Sequence, residues 1–375
     1  MADRDPPSVR IADSIGAIDA DQWNAQAGTG DPFLRHDFLT ALEVSGSVGE
    51  ETGWTPLPLL VEQAGRVTGA APAYLKAHSQ GEYVFDQGWA DAWSRAGGDY
   101  YPKLQIAVPF TPVVGRRLLG DAPELVLAGA EAVVRQNGLS SGHATFLTEA
   151  EAGAAEGRGW LVRHGVQYHW HNRGYGSFDD FLAALSSRKR KAMRKEREAA
   201  RAGLTFRHLR GAEIGPAEME AMWHFYQDTG SRKWGRPYLT RAFFDTAVEQ
   251  LGETLLLFLA ERDGVPIAGA LNWVGADTLY GRYWGCSEDV PFLHFELCYY
   301  QSIEWAIAHG LATAQAGAQG EHKLARGYEP VRTFSAHFIP HPAFRDAVEH
   351  FLGEEKMMVA AELEALRAEL PFRKD

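Results

Sequence analysis

The sequence predicts an α/β protein of the α+β type, built from two similar lobes in tandem. Its 375 residues exceed the length at which a single hydrophobic core usually stops growing, so two domains of ordinary size are expected. Apolar residues make up 45% of the chain and charged residues 23%, which is typical of folded globular proteins. Three short patterns also occur twice in the same order, and this recurrence predicts that the lobes are duplicates.

The repeated patterns are those of a helix, a hairpin and a second helix. Each hairpin has an apolar strand, a tight turn at Gly65 or Gly264, and a second strand that begins with Gly-Ala. Each second helix ends at a Gly followed by Leu, where helices often end. The paired segments are 37–42 with 180–185, 59–75 with 257–274, and 120–139 with 294–311.

Additional segments follow the first helix of the second copy, and a long helix ends the chain. Gly165, Gly174 and Gly176 interrupt the pattern between the copies, so we predict a first lobe over 1–170 and a second over 171–375. The additional segments are a basic helix at 186–201, a strand near 204–209, helices near 217–228 and 238–251, and an amphipathic helix over 343–370 before Pro371.

Composition excludes several classes of protein. The first seven residues lack the basic-then-apolar pattern of a signal peptide, and no apolar run is long enough to cross a bilayer, so we expect a cytoplasmic protein without a membrane span. Cys286 and Cys298 are too few for a disulfide framework and form no Cys-x-x-Cys pair. No metal site is expected, because Glu321 and His322 alone provide too few zinc ligands.

One basic segment departs from the acidic balance of the chain, whose formal charge is −12. Residues 186–201 hold eight Lys or Arg against two Glu. Four of these residues are candidates for phosphate contacts with a nucleic acid such as tRNA; the alternative is a solvated arm that balances acidic neighbours. The four candidates are Arg188, Lys189, Lys191 and Lys195.

The order of elements in each lobe resembles the GNAT acyltransferase unit. Two such lobes joined by SSRKRKAMRKER resemble the FemAB-like group, and the motifs YLKAHSQGEYVFDQGWADAW, TGSRKWGRPYL, YGRYWGC and AGAQGEHKLARGYEP are similar to its peptidoglycan biosynthesis/recognition branch of predicted N-acyltransferases. The similarity extends over nearly the whole chain. It implies two GNAT-like lobes, each a mixed, mainly antiparallel sheet flanked by helices, and amide formation with aminoacyl-tRNA as donor.

Two segments fit the pattern of the GNAT phosphate loop, Gln/Arg-x-x-Gly-x-Gly/Ala. Arg117-Leu-Leu-Gly120-Asp-Ala122 fits it before a predicted helix, and Arg282-Tyr-Trp-Gly285 fits its first half. Arg117, Gly120 and Arg282 are therefore candidate donor-binding residues. The alternative is a tight turn followed by a helix cap, and Asp121 would repel a pyrophosphate.

The densest polar cluster in the second lobe follows a strand-like segment at 312–317. Gln319-Gly-Glu-His-Lys323 is followed by Arg326-Gly-Tyr328, at a position where α/β sheets present loops to ligands. Glu321 or His322 is the candidate to take the proton of an amine. Lys323 and Arg326 are candidate donor-binding residues, and Tyr328 is a candidate substrate contact.

A second polar and aromatic cluster occurs in the first lobe. It provides candidate acceptor contacts beside Trp93, Tyr100 and Tyr101, although Tyr and Trp are also common as half-buried wall residues. The candidate contacts are Lys76, His78, Glu82, Asp86 and Trp89.

A strand-like segment of the second lobe carries two tyrosines. The GNAT resemblance implies a Tyr as general acid, here Tyr283 or Tyr280, while ordinary strand packing is the alternative.

Three functions remain open at the level of sequence. The favoured one is an N-acyltransferase that moves an aminoacyl or acyl group from an activated donor, preferably aminoacyl-tRNA, to the amine of a small molecule or peptidoglycan-type peptide. The others are an acyl-CoA-dependent GNAT N-acetyltransferase and a non-catalytic module that recognises a peptide or muropeptide. No tightly bound cofactor is expected, and the oligomeric state is left open.

Overall fold

A computed structural model describes residues 6–232, 237–317 and 320–373. The chain divides into two compact units. The first contains Met1–Val166 and Arg332–Ala361, and the second contains Gln167–Val331 and Glu362–Asp375. Each unit therefore combines segments that are distant in the sequence.

The first unit alternates short strands with helices. Its elements are β1 Ser8–Ile11, α1 Ala20–Ala27, α2 His36–Val44, β2 Trp54–Pro56, β3 Leu59–Gln63, β4 Arg66–Ala71, β5 Ala73–Lys76, α3 Gln87–Arg95, β6 Lys103–Ile106, β7 Leu119–Gly120, α4 Pro123–Gln136, β8 Gly142–Leu147, α5 Glu149–Gly157 and the first half of β9 Leu161–His171. It also receives most of β15 Glu329–Phe338 and of α12 Pro342–Ala368.

Two sheets organise the first unit. One has the antiparallel order β1-β3-β4-β7, and the other has the order β15-β8-β6-β5-β2, in which only the β6–β8 pair is parallel. Their shared core is mostly aliphatic, and Leu59, Leu104, Val126 and Ala144 within it are fully shielded from solvent. Burial of this surface is the main term that stabilises the unit.

The second unit has one mixed sheet. Its elements are α6 Phe178–Ala184, α7 Ser187–Arg201, β10 Thr205–Arg210, α8 Pro216–Arg232, α9 Arg241–Leu251, β11 Leu255–Arg262, β12 Val265–Val274, β13 Thr278–Cys286, α10 Leu293–Phe295, a π-helical turn Glu296–Tyr300, α11 Gln301–Ala308, β14 Thr313–Ala316 and a 3-10 turn Glu321–Arg326. The strand order is β10-β11-β12-β13-β14-β9, in which only the β13–β14 pair is parallel.

The repeated sequence patterns form corresponding elements. The two short helices are α2 and α6, the hairpins are β3–β4 and β11–β12, and the later helices are α4 and the run from α10 to α11. The predicted additional segments are also confirmed as α7, β10, α8, α9 and α12. Each unit has a mixed, mainly antiparallel sheet flanked by helices, as the sequence predicts.

The division between the units differs from two contiguous lobes. The first transition, at Val166, lies close to the predicted boundary at 170, but residues 332–361 belong to the first unit. The reason is long-range pairing: β15 pairs with β8 through Phe334 and Leu147, and α12 packs Phe344 against Trp93. Short sequence patterns do not show which distant segments will pair.

Candidate functional site

The sheet of the second unit opens at Arg282. The parallel pairing of β13 with β14 ends at Gly281 and Ala316, whereas β13 continues to Cys286 against β12. At the same point the β12–β13 register shifts, so that Arg282 is the additional residue of a β-bulge. Bulges interrupt the ladder and occur frequently beside active sites. Beyond Gly281, β13 is therefore no longer paired with β14.

The helical segment after β13 contains a π-helical turn, Glu296–Tyr300, between α10 and α11. Single π turns inside helices are frequent at functional sites. This turn buries Tyr299 and Tyr300. The Tyr299 hydroxyl lies 2.8 Å from Nε2 of His322, and the Tyr300 hydroxyl donates to Glu196. The π turn is thus connected to the 3-10 turn that carries the predicted polar cluster.

Lys323 is the most unusual group of that cluster. Its side chain is 1% exposed, and its amino group donates to the carbonyl oxygen of Gly317 at 2.7 Å. Burial lowers the pKa of Lys323 to about 7; Cys298 opposes this effect and Arg282 adds to it. A substantial fraction of the amine is therefore neutral near pH 7, and a neutral amine can accept a proton.

Glu321 and His322, the predicted bases, are both exposed. The His322 ring lies beside Phe295 and Tyr299. Gln319 lies outside the described residues. Glu321 and His322 share the 3-10 turn with Lys323, but the buried group of this turn, whose pKa is lowered, is Lys323.

Arg326 and Tyr328 are buried behind the 3-10 turn. The Arg326 guanidinium donates to Glu196 and to the main-chain oxygen of His322, each at 2.8 Å, and lies 3.4 Å from the centre of the Phe295 ring. Arg326 therefore fixes the turn, and its donor-binding role stays a prediction. The Tyr328 hydroxyl is fully buried and makes no hydrogen bond within the described ranges.

Tyr283 lies one residue beyond the bulge. Its ring makes edge-to-face contacts with Tyr226 and Trp273, and burial raises its pKa while the neighbouring Arg282 lowers it. The phenol therefore stays protonated at neutral pH, as a general acid requires. Tyr280 is buried on the same strand.

The two phosphate-loop patterns have structural explanations. The Arg282–Gly285 segment lies within β13, and a Cβ atom at Gly285 would be 1.9 Å from the carbonyl oxygen of Phe225, so the glycine permits close packing of α8. Arg117 is 1% exposed and donates to the carbonyl oxygens of Val113 and Arg116.

Gly120 has φ +90°, and a Cβ there would lie 2.2 Å from the oxygen of Thr68. The Arg117 guanidinium is thus held by main-chain oxygens and Arg282 lies within a strand, while the phosphate-binding roles of Arg117, Gly120 and Arg282 stay predictions.

The loop between β13 and α10 is acidic. It carries Glu288 and Asp289, both exposed, and then Pro291, which has no main-chain N–H. Anions bind helix N-termini through free N–H groups and nearby positive charge. In this loop the proline removes one N–H group and the two acidic residues repel an anion. A pyrophosphate is disfavoured at this position.

The basic helix α7 has two different faces. Its inner face buries Met193 and Arg197, and the Arg197 guanidinium donates to both carboxylate oxygens of the buried Glu296 at 3.0 Å. The helix contacts the π turn and the 3-10 turn. On its outer side, Arg188, Lys191 and Lys195 are exposed and Lys189 is partly exposed. None of these four forms an ion pair with a residue that the structure describes.

The predicted contacts of the first lobe lie in a buried cluster of the first unit. Lys76, Glu82, Asp86 and Trp89 are all buried, and His78 is partly exposed. Sequence reasoning missed further members of this cluster. Lys103 is one of them, and its alternation with Gln105 along β6 was the available signal. His143 and His337 are others. They lie opposite each other because β15 pairs with β8, which the sequence patterns do not show.

The described residues contain no helix with the length and apolarity needed to cross a bilayer. Within the same ranges, no group of three or more His, Cys, Asp or Glu side chains is arranged to hold a metal ion.

Two units of this topology, the second opened beside a bulge, define a tandem GNAT-like fold, which confirms the predicted fold class. The chain belongs to the FemAB_like family, described as peptidoglycan biosynthesis/recognition, whose model matches residues 14–374. The predicted family is thereby confirmed. No curated protein sequence matches the chain.

Solved structures with little sequence identity share the fold. FemX is 13% identical with a TM-score of 0.56, over 88% of this chain and 98% of its own. The C-terminal domain of a putative lysylphosphatidylglycerol synthetase from Agrobacterium fabrum is 11% identical with a TM-score of 0.55, over 90% and 97%. A conserved protein of unknown function from Bacteroides thetaiotaomicron is 11% identical with a TM-score of 0.53, over 88% and 100%.

Proposed function

We propose that the chain is an N-acyltransferase that forms an amide bond in its second unit. The observation that carries this proposal is the buried Lys323, with a pKa of about 7, in the unit whose sheet opens at Arg282. Amide formation needs a base for the amine proton and donors for the oxyanion. Lys323 and the main chain at the bulge supply these two requirements.

The reaction begins with attack of the acceptor amine on the acyl carbonyl of the donor. Neutral Lys323 takes the proton that the amine loses, and main-chain N–H groups at the bulge stabilise the oxyanion. The tetrahedral intermediate then collapses and the bond to the leaving oxygen breaks. The proton that Lys323 took passes to that oxygen, directly or with the Tyr283 hydroxyl giving up one proton as it receives another, and converts the oxygen to a hydroxyl. One amide and one alcohol are formed from one ester and one amine, and Lys323 ends neutral.

Aminoacyl-tRNA is the donor that the charge distribution favours. The acidic loop with Glu288 and Asp289 disfavours the pyrophosphate of CoA at the usual helix N-terminus, and the Arg117 guanidinium is occupied by carbonyl oxygens. The outer side of α7 instead offers exposed cations on a helix that contacts both the π turn and the 3-10 turn. Such cations neutralise phosphates without reading sequence.

The acceptor is an amine on a small molecule or peptide. The description of the family as peptidoglycan biosynthesis/recognition supports a peptidoglycan-type peptide. In the proposed reaction, the acceptor amine must come within reach of Lys323 while the lysine is neutral.

The donor can be tested by incubating the purified chain with a mixture of radiolabelled aminoacyl-tRNAs and a muropeptide that carries a free amine. The proposal expects transfer of label to the peptide, and loss of transfer in Lys323→Met but not in Lys356→Met. A parallel reaction contains acetyl-CoA. Transfer from acetyl-CoA alone would show that the donor is acetyl-CoA and not aminoacyl-tRNA. Muropeptide binding without transfer from either donor would identify a recognition module.

A further inference from the structure

A buried network of charged groups occupies the first unit, independently of the acyl-transfer site proposed for the second. Lys103 donates to Ser79 at 2.9 Å, to Glu82 at 2.8 Å and to Asp86. Lys76, on the neighbouring strand, lies 3.8 Å from the other oxygen of Glu82. Isolated charges are rarely buried in this way, because removing each from water is costly.

The ammonium donors of this network are all used. The three N–H bonds of Lys103 are taken by Ser79, Glu82 and Asp86. Lys76 donates to the main-chain oxygen of Gln80 at 3.1 Å, lies 3.3 Å from Nδ1 of His78, and sits 3.7 Å from the centre of the Trp54 ring. A further ligand therefore receives no free hydrogen from either lysine.

Acceptors, in contrast, are in excess. Oε1 of Glu82 and Oδ1 of Asp86 make no hydrogen bond to a described residue, and the two residues are only 4% and 2% exposed. Oε1 of Glu82 has the longer ion pair with Lys76, at 3.8 Å. The other oxygen of each carboxylate binds the same Lys103, so the two carboxylates are neighbours. Buried polar atoms are normally paired, and an unpaired carboxylate oxygen indicates a missing donor.

Aromatic side chains belong to the same network as the two carboxylates. The Tyr100 hydroxyl donates to Asp86 at 2.7 Å, and Tyr101 lies beside Tyr100 and binds Ser79. Trp89 stands edge-on to His337, with the ring centres 4.8 Å apart. Carboxylates combined with aromatic rings are the recognition chemistry of organic cations.

We propose that Glu82 and Asp86 bind a primary ammonium group carried by a small ligand. The ammonium donates to the two carboxylate oxygens that lack a hydrogen bond, and the aromatic rings contact its hydrocarbon part. The segment between β5 and α3 carries both carboxylates and also the exposed Gln80 and the partly exposed His78, so it is the side from which the ligand enters.

Protonation supports the same chemistry. Burial raises the pKa of Glu82 to about 7; Lys103 and Lys76 lower it and Asp86 raises it. An added cation favours the ionised carboxylate. Amine binding is therefore expected to strengthen as the pH rises through 7 and, below that pH, to release a proton from Glu82. Burial lowers the pKa of His143 to about 3 and also lowers that of His337, so neither histidine adds positive charge beside Asp86.

The test uses isothermal titration of the full chain with n-butylammonium at pH 8 and constant ionic strength, without any acyl donor. Tetramethylammonium, which has charge but no N–H, and n-butanol, which has no charge, are the matched controls. Glu82→Gln and Asp86→Asn are compared with Glu156→Gln, an exposed glutamate of the same unit. Intermolecular NOEs between butyl protons and aromatic ring protons locate the ligand in the wild-type chain.

The proposal expects n-butylammonium to bind at least about 10-fold more tightly than either control, and expects Glu82→Gln to remove that preference while Glu156→Gln keeps it. NOEs to Tyr100, Tyr101 or Trp89 are expected in the wild-type protein, so the result does not depend on folded variants. Equal binding of the three probes, or NOEs only to other residues, would show that water alone satisfies these oxygens. Because no donor is present, neither result bears on acyl transfer.

Discussion

The amino nitrogen of Lys323 donates to the carbonyl oxygen of Gly317 at 2.7 Å, and the lysine side chain is closed off from solvent. A lysine buried in this manner loses the hydration that stabilises its ammonium form, so burial favours the neutral amine. Its proton is therefore easily lost, and this one property connects the stability of the protein to the chemistry proposed for the second unit.

The first prediction concerns stability and pH. Lys323 has a pKa of about 7 in the folded chain, against the ordinary lysine value of 10.5 in the unfolded chain, so between these values the unfolded chain binds more protons. The free energy of unfolding should then rise with pH in this window, and the cost of the buried charge should be complete below pH 7. Urea unfolding at pH 7 and pH 9.5 measures the slope.

Lys323→Met should make that slope smaller. Lys76, whose pKa burial also lowers to about 7, contributes with the same sign, so part of the slope should remain. An unchanged slope in Lys323→Met would contradict the burial of this charge.

The second prediction concerns the packing role of Gly285. Gly285→Ala places a Cβ 1.9 Å from the main chain of α8, and we expect a loss of about 3 kcal/mol in the free energy of unfolding. Gly153→Ala in α5 meets no atom within 4 Å and should stabilise by about 0.5 kcal/mol. Thermal unfolding distinguishes them; equal stability of the two variants would remove the packing explanation.

The third prediction concerns the inner face of α7. Arg197→Met leaves the fully buried Glu296 with one arginine, Arg201, at 2.7 Å, and with the amide of Gln301 at 3.3 Å, and should cost about 3 kcal/mol. The double variant Arg197→Met/Glu296→Leu should recover part of this loss, because the buried charge is also removed. Arg188→Met on the outer side is the control and should change stability by less than about 0.5 kcal/mol.

The fourth prediction concerns RNA binding. If Arg188, Lys191 and Lys195 contact phosphates, their triple replacement by Ala should reduce the slope of log K against log salt by about 2 to 3. Filter binding of tRNA from low to moderate salt measures this slope. The triple replacement of Arg66, Arg95 and Lys356 in the first unit removes the same charge and should leave it unchanged; equal effects would indicate only a net-charge effect.

Much of the fold was accessible from sequence, because amphipathic periods and hairpin turns are local signals. Asp263-Gly264, for example, predicted the β11–β12 hairpin that the structure contains. The exchange of residues 332–361 into the first unit was not predicted. It depends on pairing between β8 and β15, and no short pattern encodes the partner of a strand.

The position of the candidate site rests on a sequence signal, but the choice of base within it depends on burial. The segment that contains Lys323 was identified from its polar density, yet Glu321 and His322 were chosen as bases because burial is not visible in a list of residue types. Arg326 was assigned to a donor, whereas its partners are Glu196 and a main-chain oxygen. Charge sign is readable from sequence, but the partner of a charge is a tertiary property.

The most direct test of the account is the pH dependence of single-turnover amide formation, measured with the donor and acceptor that support transfer. For the wild-type chain we predict a rate that rises with an apparent pKa near 7, the value of Lys323. Lys323→Met should lower the rate at pH 8 by about 100-fold or more and abolish the step near pH 7. A Lys323→Met variant that keeps both the rate and the step would contradict the central claim.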